Sequence, residues 1–126
     1  MPRIFAASDI RHDDKESHKD YFDRHAPNVI CEKEATKNQK FQVKVRVGNA
    51  FTHPDDPEHH IAYVQLWNRE TMLAEVSYPP GTLGNEKSQA EVDFFIIPKT
   101  SLNLLAMSYC TKHGLWQSEA VEVSVI

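Results

Sequence analysis

Two cysteines, Cys31 and Cys110, in 126 residues are too few for an iron–sulfur cluster, and in a reducing compartment such a pair reads as free thiols or metal ligands rather than a disulfide. The Cys-x-x-Cys-His signature of c-type haem attachment is missing too. No apolar run approaches the ~18 residues of a membrane span. The opening stretch, "MPRIFAASDIRHDDKESHKD", turns charged before a signal-like apolar segment develops, so the cytoplasm is the expected location. No stripe of one charge exists. Fourteen basic and eighteen acidic residues give a formal charge of −4, and the basic ones are scattered among acids, which argues against a nucleic-acid partner. There is no glycine-rich phosphate loop, so nucleotide chemistry drops out. Internal repeats, low-complexity tracts and any long helical period are absent as well.

What is present is enough apolar residue, 40%, for the core of one domain of this length. Residues 7–24 are polar without a sustained period and read as an N-terminal extension with at most a short helix. "FQVKVRV" alternates Phe41, Val43, Val45 and Val47 against Gln42, Lys44 and Arg46, the period of a half-buried strand. Runs of the same kind follow at "HIAYVQLW", "TMLAEVSY", "AEVDFFII", "NLLAMSYC" and "AVEVSVI", divided by turn formers such as "HPDDPE", "PPGTLGN" and "PKTS". The spacing predicts an all-β sandwich.

Seven histidines are many for such a chain. The candidate ligands fall in three stretches at strand ends or loops: "DRHAP" with His25, "HPDDPEHH" from His53 to His60, and "CTKHG" with Cys110 and His113. Loops of a sandwich cluster at its two ends, where residues distant in sequence converge on a rigid frame. His59 and His60 are neighbours at the mouth of a strand and point to opposite faces, so one of them joins a shared site; the pattern does not choose which. His12 and His18, in the charged extension, read as solvated, and Cys31 as an inert thiol. One thiolate with several neutral imidazoles selects zinc, copper or iron over calcium or magnesium. A mononuclear transition-metal site is the expectation.

"DRHAP", "HPDDPEHHI" and "CTKHGLWQSE" resemble, in order and kind, the iron-binding motifs of superoxide reductases of the one-iron class, the neelaredoxins: Glu-Lys-His-x-Pro, His-Pro-x4-His-His and Cys-x-x-His-Gly-x-Trp. The resemblance runs from about Asp23 to the C-terminus and divides the chain into an extension, 1–22, and an iron-binding β domain, 23–126. It implies a seven-stranded immunoglobulin-like sandwich or barrel. It implies one iron per chain, with His25, His53, His59 and His113 in a plane and Cys110 axial, which leaves His60 outside the ligand set. It also implies the one-electron reduction of superoxide to hydrogen peroxide, an electron donor such as rubredoxin, and a homo-oligomer, tetramer or dimer. The four-cysteine domain of two-iron members is lacking, so no second metal centre is expected.

Two positions depart from the family pattern. Arg24 replaces the lysine that draws in superoxide; a guanidinium attracts the anion and orders water but does not act as an acid. Asp23 replaces the glutamate that is the sixth ligand of the oxidised resting state, and one methylene less is predicted to leave its carboxylate short of the iron. The competing reading is a blue-copper electron carrier with Gln117 as axial ligand, followed by a structural zinc module. The first leaves His25 and one of His53 or His59 unused, and the second has the same surplus.

Overall fold

The computed structural model describes residues 4–5, 19–83 and 89–126. One short helix, α1 (Lys19–His25), precedes most of the strands. The strands are β1 (Ile4–Phe5), β2 (Pro27–Ile30), β3 (Glu34–Ala35), β4 (Phe41–Val47), β5 (Ile61–Asn68), β6 (Thr71–Ser77), β7 (Glu91–Ile96), β8 (Leu102–Cys110), β9 (Gly114–Gln117) and β10 (Val121–Val125). Strands β2, β4 and β7 form one antiparallel sheet. In the other, β8 is the spine: β5 and then β6 lie along one edge, while β9 and β10 follow each other along the opposite edge. β1 and β3 add short parallel pairings to β9 and β10.

The alternation in the sequence places the core between these sheets. Phe41, Val43, Val45 and Val47 of β4 are buried, as are Val64 and Leu66 of β5 and Leu104 and Ala106 of β8. Outward residues of β4 pair with β7, as in the 2.8 Å contact of Lys44 with Glu91. The fold is the expected all-β sandwich of open sheets, with no closed barrel and ten strands among the described residues rather than seven. The additional strands, β1, β3 and β9, have two to four residues, too few for a period to be read.

All of the ligand-bearing segments end up at one end of this frame. β2 begins at Pro27 opposite Val47, the last residue of β4, and β5 begins at Ile61 opposite Cys110, the last residue of β8. α1 stops at His25 because Ala26 precedes Pro27, whose ring disfavours a helical residue before it. Its last turn is held by the Ala26 amide donating to the Phe22 carbonyl at 2.9 Å. The Ser108 hydroxyl then ties the His25 carbonyl to β8 at 2.8 Å.

Candidate metal centre

The β8–β9 hairpin explains why a thiol and an imidazole stand three residues apart. Cys110 and Gly114 are paired across it, so Thr111, Lys112 and His113 form the turn, and Gly114 closes it at φ 87°, a conformation that favours glycine. The turn folds back on the sulfur: the His113 amide lies 3.4 Å from Cys110 Sγ and His113 Nδ1 lies 3.7 Å from it. Cys110 is completely buried, which pushes its thiol pKa up, while the amides of Lys112 and His113 and the Lys112 charge oppose the shift. The Thr111 amide is used elsewhere, donating to the His60 carbonyl at 3.0 Å.

Four imidazole rings stand beside this sulfur as the corners of a square. Going round it, the centroids of His25 and His53 are 4.8 Å apart, His53 and His59 4.7 Å, His59 and His113 4.9 Å, and His113 and His25 4.9 Å. Each ring is turned 76–79° from the next. The diagonal from His25 to His59 is 6.4 Å with the rings only 25° apart, close to the diagonal of such a square. Donor atoms of His25, His53, His59 and Cys110 lie within 4.8 Å of one another, and His113 Nδ1 is 3.1 Å from His25 Nε2. Two nitrogens bound at ~2.1 Å to one ion at a right angle are ~3.0 Å apart, so the spacing fits a metal of ordinary imidazole bond length.

Hydrogen bonds select which nitrogen of His25 and His53 faces the centre. His25 Nδ1 donates to the Tyr21 carbonyl at 2.7 Å and His53 Nδ1 to the Pro54 carbonyl at 2.7 Å, which turns both Nε2 atoms inward. His59 Nε2 is buried and has no protein partner among the described residues, an orphaned donor atom that a bound metal would satisfy. Burial lowers the pKa of His25 to about 4, against the pull of the Tyr21 carbonyl and with help from the other imidazoles. His53 is lowered to about 4 in the same way, with Pro54 opposing and His59, His113 and Arg24 assisting. Burial also lowers His59 and His113, with Lys112 adding to both. The square is therefore neutral near pH 7, the state that binds a cation.

A tight turn settles the His59–His60 pair: Asp56 and His59 exchange backbone hydrogen bonds at 3.0 and 3.1 Å, and the His60 ring swings back to the Asp56 carbonyl at 3.0 Å. His59 is left in the square and His60 outside it. Arg24 lies beside the centre with its guanidinium 5.1 Å from the Phe51 ring centroid and Nη1 donating to the Thr52 carbonyl at 2.7 Å. The Asp23 carboxylate receives the amides of Asn49, Ala50 and Phe51. Gln117 sits opposite Met107 in the β8–β9 ladder, outside the square. Cys31 packs against the core instead, and His12 and His18 lie outside the described residues.

The sequence assigned no role to Trp116. Fully buried, it stacks on His25 at 4.7 Å with the rings 13° apart, and Tyr21 and Phe22 meet its ring edge to face at 5.4 and 6.0 Å. The only signal for it was its place in "CTKHGLW", on the strand that leaves the hairpin.

Residues 10–119 match the Desulfoferrodoxin family. A superoxide reductase of Thermococcus kodakarensis is 33% identical over 103 residues, covering 77% of this chain and 85% of the relative. The neelaredoxin of Megalodesulfovibrio gigas is 27% identical over 110 residues, covering 76% and 84%. Among solved structures, the superoxide reductase (neelaredoxin) from Ignicoccus hospitalis superposes with a TM-score of 0.75 at 27% identity, over 98% of this chain and 95% of that one.

Proposed function

This chain belongs to the desulfoferrodoxin family, and on that premise we propose how its own residues carry out the family's chemistry. It is a superoxide reductase, an oxidoreductase that adds one electron and two protons to superoxide and releases hydrogen peroxide. The observation that carries the reading is the square of four neutral imidazoles with a single thiol beside it. Nitrogen with sulfur suits iron, copper or zinc, and a one-electron reduction needs a redox-active metal, so zinc falls away. A copper site of the electron-carrier type takes two histidines and a cysteine with a weak axial group and would leave two corners of the square idle. Iron is the cofactor.

We assign His25, His53, His59, His113 and Cys110 as the residues that would hold the iron. Iron held there would supply the electron. The remaining work falls to the chain. Cys110 would supply a thiolate that makes the iron electron-rich, and the amides of Lys112 and His113, which favour its charged form, would moderate that donation. Arg24 supplies positive charge against the net −4 of the chain and draws the anion in. Among the described residues the guanidinium hydrogen-bonds only Thr52, through Nη1, which leaves its other donors to order the water that delivers the two protons.

The reading extends to a small redox protein such as rubredoxin as electron donor, a homo-oligomer, and residues 23–126 as the iron domain behind an extension of residues 1–22. Among the described residues no helix is long and apolar enough to cross a membrane, and a cytoplasmic setting is part of the proposal. Metal analysis with a visible spectrum tests it. One iron per chain is expected, with a thiolate-to-iron band in the oxidised protein that Cys110→Ser abolishes. A band that survives the substitution refutes the assignment of sulfur as a ligand.

A further inference from the structure

The loop from β4 reaches His53 through residues 48–52, and each of these five is tied to α1 or its continuation. The Gly48 amide donates to the Ala26 carbonyl at 2.9 Å. The next three amides, of Asn49, Ala50 and Phe51, converge on Asp23 Oδ2 at 3.1, 2.9 and 2.8 Å, a row of N–H groups that forms an anion-holding concavity. Arg24 continues the grip, its guanidinium over the Phe51 ring and Nη1 on the Thr52 carbonyl. The two segments cross so closely that a Cβ on Gly48, at φ 82°, would lie 2.8 Å from the backbone oxygens of both Asp23 and Phe51. Immediately beyond the grip, His25 on one side and His53 on the other form one edge of the imidazole square.

We propose that Asp23 is a positioning residue of the metal centre: with Arg24 it locks loop 48–52 to α1 and so fixes the spacing of His25 and His53, and it does not itself bind the iron. This rests on the ligand assignment above. Both carboxylate oxygens are already engaged by the loop, Oδ1 by the Asn49 amide at 3.2 Å and Oδ2 by all three amides, so turning either toward a metal means releasing backbone bonds. Charge-assisted bonds of a carboxylate to backbone amides are roughly twice as strong as neutral ones, so the loop is the preferred partner. The shorter side chain, which falls short of one role, fits the other.

Amide hydrogen exchange on the iron-free protein, wild type against Asp23→Asn and Asp23→Ala, tests the clamp without metal. Exchange at Asn49, Ala50 and Phe51 is expected to accelerate ~10-fold or more in Asp23→Ala, equivalent to ~1.4 kcal/mol, and less in Asp23→Asn, while the 110–114 hairpin keeps its protection. In the iron-loaded proteins, release of iron to a chelator should quicken in the same order. Azide should bind the oxidised wild type as readily as Asp23→Ala. Unchanged exchange at the three amides overturns the proposal, as does faster exchange with unaltered iron release. Azide binding only after the carboxylate is removed overturns it too, because Asp23 would then occupy the iron. A wild type that binds no iron or fails to reduce superoxide refutes the function proposed above, whereas the metal-free exchange measurement still decides the clamp.

Discussion

Replacing Trp116 should loosen the metal centre by a route that ordinary core damage does not share. Its indole is fully buried, lies nearly parallel to the His25 ring at 4.7 Å, and is itself held by Tyr21 and Phe22. Truncation to alanine removes this packing and leaves a cavity, a loss of ~3–5 kcal/mol for a buried Trp, large against the ~5–15 kcal/mol of a whole domain. Trp116→Phe is the more informative variant. It keeps a ring in place and should lose roughly 1–2 kcal/mol on the same scale. Aromatic pairs contribute ~0.5–1.5 kcal/mol beyond their burial, so weakening the stack on His25 should speed iron release to a chelator by up to ~10-fold. Urea unfolding of the iron-free proteins measures the stability loss without the metal's own stabilisation. Leu104→Ala is the control: Leu104 is fully buried on β8, six residues or ~20 Å of strand from Cys110. It should lose ~2–5 kcal/mol and leave iron release at the wild-type rate. Iron release that is unchanged in Trp116→Phe, or raised equally in Leu104→Ala, would refute the claim that the stack orients His25.

Two further outcomes follow from the charges around the square. Arg24→Ala should slow the bimolecular reaction of the reduced enzyme with superoxide at low salt, and added salt should slow the wild type more than the variant, because ions screen a steering charge; equal salt dependence in stopped-flow or pulse-radiolysis traces would assign the attraction to another group. The iron-free chain should lose stability as the pH falls. His25 and His53 have folded pKa values of about 4, below the ~6.5 of an unfolded histidine, so the unfolded chain binds more protons between these values. Their contribution is complete above pH ~6.5 and declines toward pH ~4 with a slope approaching ~1.4 kcal/mol per pH unit for each ring. Urea midpoints that stay flat between pH ~6.5 and ~5 would mean that the two rings are not held neutral by burial.

Six of the strands could be read from the sequence because each carries a period of two over several residues, "FQVKVRV" most plainly. β2 and β9, of four residues, are too short for that signal, and β9 is defined by the hairpin that follows Cys110 rather than by its own composition. The candidate site was legible because a thiol and several imidazoles at strand ends and loops are chemically distinctive. The choice of His59 over His60 came only from the family resemblance; in the structure it follows from the turn that bonds Asp56 to His59 and draws the His60 ring to the Asp56 carbonyl. The clamp at Asp23 had no signature at all, since its partners are backbone amides, which every residue type but proline presents. The same holds for the stack on His25. Trp116 is ninety-one positions away in the chain, and only the shared end of the sandwich brings the rings together.

The central claim is that this centre reduces superoxide rather than disproportionating it. The direct measurement is the product balance when superoxide is supplied to the iron-loaded protein with an excess of a one-electron reductant. Reduction requires one hydrogen peroxide for every superoxide consumed, one reductant oxidised with it, and no dioxygen. Dioxygen released in amounts equal to the peroxide, with the reductant untouched, would be the balance of a dismutase and would contradict the account.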